Sequence, residues 1–127
     1  MAKRKENSTN NINREYITTN CDAIYTICKI GGRWKMMILF YLEEYGTLRF
    51  NELKEKTVGI TDRMLSLQLK ELEADNLVTR QVYAEVPPRV EYSLTNIAKD
   101  LLPIWPALED WGTKHRALSA VKQEDSK

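Results

Sequence analysis

The sequence is poor in the residues on which most metal and catalytic sites depend. Its 127 residues include two cysteines and one histidine, His115. Cys21 and Cys28 lie seven positions apart, which is about 10.5 Å along a helix and too far for a disulfide between them. There is no CxxC pair and no His-x-x-x-His spacing. We therefore expect no metal site, no catalytic site, no cofactor and no enzyme activity.

The sequence also lacks a long apolar run and an excess of one charge. The longest uninterrupted apolar run, Met36 to Leu42, is far shorter than the roughly 20 residues that cross a bilayer. The basic N-terminus is not followed by an apolar segment, so we expect no signal peptide, no membrane association and a cytoplasmic protein. Nineteen basic and 18 acidic residues give a formal charge of +1. Nucleic-acid binding would therefore depend on where the charges lie.

The length and the apolar content of 43% predict one soluble globular domain. We place it at residues 21–113. Residues 1–20 are rich in Asn, Thr and Ser and include a basic cluster, which predicts a flexible polar arm that is either merely solvated or touches phosphates. Residues 114–127 are expected to form a C-terminal tail.

The first half of the domain has a helical pattern. Asp22 is a good N-cap for a helix whose apolar residues recur at helical spacing up to Gly31. A second helix is predicted from about Arg33 to Glu44, and its apolar run indicates that it is the central one. A short strand is expected between Thr47 and Phe50.

Next comes a pattern typical of a helix-turn-helix. Asn51 is expected to cap a short helix, Glu52 to Lys56, which is followed by a turn of about four residues containing glycine. Thr61 is expected to cap a second helix that runs to about Asp75. Two helices joined by such a turn form a helix-turn-helix.

The hydrophobic period then changes from 3.6 to 2, which is typical of a β-hairpin. Residues 78–83 and 89–94 alternate on either side of a loop that contains Pro87 and Pro88. Thr95 is expected to cap a final helical region, which Pro103 and Pro106 should break into two pieces. The predicted fold class is mainly α with a small β-hairpin: a winged helix-turn-helix in which the hairpin is the wing.

The second helix of the pair carries the candidate DNA-reading face. At about 100° per residue, Leu65, Leu69 and Leu72 face the core. Arginine can bond guanine through two hydrogen bonds, serine can donate or accept, and leucine can contact a thymine methyl. An ordinary exposed amphipathic face is the alternative interpretation. The candidate DNA-binding residues are Thr61, Asp62, Arg63, Ser66, Leu67 and Lys70 on this helix, Arg33, Lys35 and Arg49 before it, and Arg89 at the wing tip.

These blocks together resemble the HxlR-type regulators, a MarR-like group of bacterial winged-helix transcription factors. The resemblance spans about residues 21–113. It is carried by Ile30-Gly31-Gly32-Arg33-Trp34, by Arg49-Phe50-Asn51-Glu52-Leu53, and most closely by the wing, Val86-Pro87-Pro88-Arg89-Val90-Glu91-Tyr92-Ser93-Leu94-Thr95. The chain departs from many relatives in having Asp22 after the first cysteine, and Asn76 and Ala98 in place of glycines.

The resemblance implies a homodimer that binds an operator of two related half-sites and dimerises through its first and last helices. Some members of the family sense oxidants through the cysteine that matches Cys21. A helix N-terminus makes a thiol more reactive, whereas the adjacent Asp22 favours the neutral thiol, so a redox role stays open. The implied interface residues are Ile24, Ile27, Cys28, Ile104, Trp105, Leu108 and Trp111.

The expected function is therefore sequence-specific regulation of transcription, with double-stranded DNA and a second copy of the chain as partners. A winged helix used for protein interaction, without its own operator, is the alternative, and the near-zero net charge favours it. A further interpretation adds a small-molecule pocket lined by Trp105 and Trp111, but no residue identifies the effector.

Overall fold

The structure is a computed structural model that describes residues 20–125, with side chains described up to residue 121. Three strands form one antiparallel sheet in the order β1-β3-β2. The elements are α1 (Asp22–Ile30), α2 (Lys35–Tyr45), β1 (Leu48–Arg49), α3 (Phe50–Lys56), α4 (Asp62–Ala74), β2 (Val78–Tyr83), β3 (Arg89–Leu94), α5 (Asn96–Leu101), a 3-10 turn (Leu102–Ile104) and α6 (Trp105–Asp125). The predicted fold class, a mainly helical winged helix-turn-helix, is confirmed.

The core lies between α2, α4 and the sheet. Ile38 and Leu39 of α2 are fully buried, as the apolar run predicts for a central helix. Leu65, Leu69 and Leu72 line the inner side of α4 and are also buried. The predicted core-facing side of α4 is therefore confirmed, and its opposite side remains available for a partner.

The wing is the hairpin of β2 and β3. Its two strands pair from Val78 opposite Leu94 to Tyr83 opposite Arg89. Tyr92 is buried on the inner face of the sheet, and β1 extends the sheet by pairing Leu48 with Tyr92. The base of the wing is joined to α5 because the Thr95 hydroxyl donates to the Asn76 carbonyl over 2.7 Å.

Two of the predicted helix caps are confirmed. The Thr61 hydroxyl accepts a hydrogen bond from the Met64 N–H at 3.1 Å, and the Thr95 hydroxyl accepts one from the Ala98 N–H at 3.3 Å. The predicted caps at Asp22 and Asn51 are wrong, because α1 already begins at Asp22, after the N-cap residue Cys21, and α3 already begins at Phe50. There the Arg49 N–H donates to Glu52 Oε1 at 2.9 Å, so a side chain inside the helix satisfies the backbone before it.

Helix α2 begins at Lys35 rather than Arg33, so Arg33 lies in the preceding turn. Gly32 has a φ of 101° in that turn, a conformation that favours glycine and ends the helical path of α1.

The C-terminal region differs from the expected tail. The prolines interrupt the helix as predicted, since Pro103 lies in the 3-10 turn and Pro106 in the first turn of α6. Residues 114–125, however, continue α6 to Asp125. Neither glycine nor proline occurs after Gly112, so no helix breaker stands in that stretch.

The predicted N-terminal arm lies outside the described residues, apart from Asn20. Within the described part of the chain, no helix is both long enough and apolar enough to cross a membrane.

Candidate nucleic-acid interface

The outer side of α4 carries an exposed row of side chains. Arg63 and Lys70 are exposed, Leu67 between them is 47% exposed, and Ser66 is half-buried on the side toward the wing. No ion pair involves Arg63 or Lys70 within the described residues. This face therefore presents two free cations, a hydroxyl and an apolar side chain.

At the start of α4, the two predicted residues have structural partners. The Thr61 hydroxyl is used by the helix cap, and the Asp62 carboxylate lies 2.6 Å from Lys54 Nζ. This ion pair links α3 to α4 and places the Lys54 ammonium beside the first turn of α4. Sequence reasoning missed Lys54, because the pairing depends on how the two helices cross.

The structure does not bring Lys35 to the exposed face. Its side chain is 13% exposed, and its ammonium lies 2.8 Å from Glu71 Oε2. The contact joins α2 to the flank of α4 away from Arg63, so the charge of Lys35 is neutralised inside the molecule.

Arg33 lies beside the helix-turn-helix. Its guanidinium carbon is 4.3 Å from the centre of the Trp34 ring. The same tryptophan approaches the turn between α3 and α4, since a Cβ at Gly59 would lie 4.0 Å from Trp34 Cη2. Arg33 is exposed, and so is Arg49 at the start of α3, which places two further cations near this motif.

Arg89 does not project from the wing tip as the sequence predicts. It is the first residue of β3, and its Nη1 and Nε atoms lie 3.3 Å from Glu85 Oε1 and 3.2 Å from Glu91 Oε1. Its guanidinium carbon also lies 4.0 Å from the centre of the Tyr83 ring. Two carboxylates thus hold this cation along the wing, and the outermost side chain of the loop is the fully exposed Val86.

One cation absent from the predicted set faces the same region. Arg80 is exposed on β2, on the strand face that also carries the buried Val78. Together with Ser66 and Lys70 it lines a crease of about 360 Å³ between α4 and the wing. The period-2 alternation of β2 could have indicated Arg80, because it places Arg80 on the face that packs against α4.

A separate apolar surface runs along α6. Ile104, Leu108 and Trp111 are exposed, and the side chain of Trp111 is 66% exposed. Sequence reasoning missed Leu118 and Val121, which are also exposed, because it ended the helix too early. Trp105 behaves differently: it is half-buried and stacks on Phe40 with ring centres 4.4 Å apart, so it packs against its own α2.

Helix α1 and its N-cap residue carry the two cysteines and the other candidate interface residues. Ile27 is exposed, whereas Ile24 and Cys28 are half-buried. Cys21 precedes the helix at the N-cap position and is exposed, and both thiols are free. Within the described residues, no group of three or more His, Cys, Asp or Glu side chains is arranged to hold a metal ion.

Known proteins are similar to this chain in sequence and in structure. The model of the HxlR-like helix-turn-helix family matches residues 29–120. An uncharacterized HTH-type transcriptional regulator of Halalkalibacterium halodurans is 54% identical over 92 residues, which are 72% of this chain and 81% of that protein. YybR of Bacillus subtilis, also described as an HTH-type transcriptional regulator, is 50% identical over 96 residues, 76% of each chain.

Among solved structures, the redox regulator HypR in its reduced form superposes with a TM-score of 0.71. It is 44% identical, and the match covers 76% of this chain and 95% of that one. The reduced form of the transcriptional regulator YodB from B. subtilis has a TM-score of 0.64 and 34% identity, and the match covers 72% and 89% of the two chains.

Proposed function

Because the chain belongs to the HxlR-like helix-turn-helix family of transcriptional regulators, we propose that it binds a pseudo-palindromic DNA operator as a homodimer. The observation that carries this proposal is the exposed outer side of α4, where Arg63, Leu67 and Lys70 have no partner within the described part of the chain. A helix of this kind enters the major groove, and a wing beside it meets the flanking backbone.

The roles of the individual residues follow from their surroundings. Arg63, Ser66 and Leu67 face the bases. Arg33 and Arg49, which form no ion pair within the described residues, meet phosphates near the start of α4. Thr61 caps α4, while Asp62 and Lys35 hold the helix in position through their ion pairs. Arg89 supports the wing and makes at most a weak backbone contact, because Glu85 and Glu91 already neutralise it.

A row of regularly spaced residues that begins in the 3-10 turn and continues along α6 supports dimerisation. Ile104, Leu108, Trp111, His115 and Leu118 follow one another at intervals of four, three, four and three residues. Alternating intervals of four and three are typical of helices that pack against a partner helix. Trp111 and His115 stack with ring centres 4.9 Å apart within this row. A second copy of α6, flanked by Ile27 of α1, would cover these exposed side chains.

A redox response through Cys21 is the second part of the proposal. Its thiol is exposed at the N-cap of α1, the helix that also carries the exposed Ile27. Two Cys21 thiols of a dimer would form a disulfide by giving two electrons and two protons to an added oxidant such as diamide. The similarity to structures of redox regulators supports this part of the proposal.

Selection of bound duplexes from a random DNA pool, with purified reduced protein, tests the proposed operator. We expect enrichment of an inverted repeat whose half-sites lie about one helical turn apart. A folded dimer that enriches no sequence would contradict the proposal and favour a protein-interaction module.

The comparison of two cysteine variants tests the proposed redox response. Treatment with diamide should change operator affinity and produce a crosslinked dimer on a non-reducing gel. Both effects should vanish in Cys21→Ser and persist in Cys28→Ser. Persistence of both effects in Cys21→Ser would exclude Cys21 as the responsive thiol, and their loss in both variants would indicate a disulfide between Cys21 of one protomer and Cys28 of the other.

A further inference from the structure

The crease between the recognition helix and the wing has the composition of an anion site. Ser66, Lys70 and Glu73 of α4 form one wall, Arg80 of β2 forms the other, and Leu69 and Tyr92 form the floor. Arg80 lies directly opposite Tyr92 in the strand register, and Tyr92 is buried. The exposed Arg80 therefore lines the open side of a crease whose base is formed by the buried Leu69 and Tyr92.

Lys70 and Arg80 are not paired with a carboxylate within the described residues. Three other cations of the domain are paired: Lys35 with Glu71, Lys54 with Asp62, and Arg89 with Glu85 and Glu91. Neither Lys70 nor Arg80 forms an ion pair or a side-chain hydrogen bond within residues 20–121, although Glu73 lines the same crease. Two cations and a hydroxyl opposite one carboxylate leave the site with a net positive charge.

We propose that this crease holds one backbone phosphate of each DNA half-site, with Arg80 and Lys70 as its cationic ligands and Ser66 as a further donor. The inference rests on the proposed operator binding and extends it to a residue of the wing. With α4 in the major groove and the wing beside it, the DNA strand that borders the groove passes between the two elements. A phosphodiester is the anionic group that this strand presents there.

A structural role for Arg80 predicts a different behaviour. β2 is an edge strand of the sheet, and charged residues on edge strands prevent pairing with other chains. In that case, removal of Arg80 would promote aggregation and leave DNA binding unchanged. The two roles can be separated by the dependence of binding on salt concentration.

The test measures binding of a fluorescent mixed-sequence duplex by anisotropy at several salt concentrations. Each neutralised phosphate contributes about 0.9 to the slope of log K against log salt. If Arg80 and Lys70 share one phosphate, R80Q and K70Q each lower the slope partly, and the double variant lowers it by about 0.9 per protomer. At 0.15 M salt this corresponds to a loss of about fivefold per protomer, or about thirtyfold for a dimer.

Two further variants serve as controls. R80K keeps the charge and should retain most of the slope. K99Q removes the same charge from the exposed side of α5, away from the crease, and should bind as the unchanged protein does. Size-exclusion chromatography of every variant shows whether it remains a folded dimer.

The remaining outcomes contradict the phosphate site, the sharing of one phosphate by the two cations, or the proposed function itself. If R80Q behaves like K99Q while the unchanged protein binds DNA, the phosphate site is wrong and the proposed function stands. Additive losses of about 0.9 each for R80Q and K70Q would assign the two cations to different phosphates and overturn the shared crease. If the unchanged protein shows no salt-dependent binding, both the proposed function and this inference fail.

Discussion

Thr57 is a buried polar residue inside the helix-turn-helix. Its side chain is fully buried where α3 ends, and its hydroxyl oxygen has no hydrogen-bond partner within the described residues. The backbone around it is satisfied, because its N–H donates to the Leu53 carbonyl and its carbonyl accepts from the Ile60 N–H. An unpaired buried hydroxyl lowers stability by about 1–3 kcal/mol.

We therefore expect Thr57→Val to raise the free energy of unfolding by about 1 kcal/mol, because valine keeps the shape and removes the unpaired hydroxyl. Urea denaturation followed by circular dichroism measures the change. Thr57→Ser is the matched control, since it keeps the hydroxyl and loses a buried methyl group, and it should be destabilised. A less stable valine variant would mean that the hydroxyl has a partner, such as a bound water.

Two arginines differ in their surroundings, so we expect their substitution to affect DNA binding differently. Arg63 is exposed and unpaired within the described residues, whereas Arg89 is 29% exposed and lies between two carboxylates. Arg63→Ala should weaken operator binding by about 1–3 kcal/mol and relax one position of the site. Arg89→Ala should weaken binding less, and evenly across sequences.

Anisotropy titrations of both variants with the operator and with a scrambled duplex separate these effects. The ratio of the two affinities should fall for Arg63→Ala and stay constant for Arg89→Ala. The opposite pattern would move base recognition from α4 to the wing.

At the scale of secondary structure, the local signals for two helix caps, the wing and the proline break were reliable, whereas those for caps at Asp22 and Asn51 were not. Thr61 and Thr95 cap their helices as predicted, because a cap involves only residues three or four positions apart. The alternation of residues 78–83 and 89–94 correctly indicated the wing, and the prolines marked the break before α6. These features depend on contacts within one element or between adjacent ones.

Contacts between distant elements could not be predicted in the same way. The sequence predicts Lys35 on the DNA-facing surface. The packing of α2 against α4 instead pairs it with Glu71. The same reason explains why sequence reasoning missed Lys54, whereas the period-2 alternation of β2 could have indicated Arg80. Which cations are free depends on which carboxylates the fold brings beside them, and the sequence alone does not specify this.

The extension of α6 leads to a prediction about assembly. Leu118 is 60% exposed and continues the row formed by Ile104, Leu108, Trp111 and His115. Leu118→Asp should place a carboxylate in the interface and shift the dimer to monomers at micromolar concentration, since burial of an unpaired charge is strongly unfavourable. Analytical ultracentrifugation measures the equilibrium. Val58→Asp, at an 80% exposed side chain in the turn between α3 and α4, is the matched control and should remain dimeric.

For the whole molecule, a charge of +1 means that DNA binding cannot depend on a general positive field. The attraction is confined to a few unpaired cations near α4, so one protomer neutralises few phosphates. High affinity for an operator then requires both half-sites to be bound at once, because the second contact becomes intramolecular after the first. In the proposed dimer, assembly through α6 and recognition through α4 would therefore be energetically coupled.

This coupling predicts the behaviour of a monomeric variant. Leu118→Asp retains every residue of the DNA-facing surface, so it should still bind a single half-site. The slope of log K against log salt should be about half that of the dimer on the full operator, because half as many phosphates are neutralised. A change of five base pairs in the spacing between half-sites is about half a helical turn. It should strongly weaken operator binding by the dimer and leave half-site binding by the monomer unaffected. If the monomeric variant kept the full slope and responded to the spacing, the two half-sites would be contacted without α6, and the proposed interface would have to lie elsewhere.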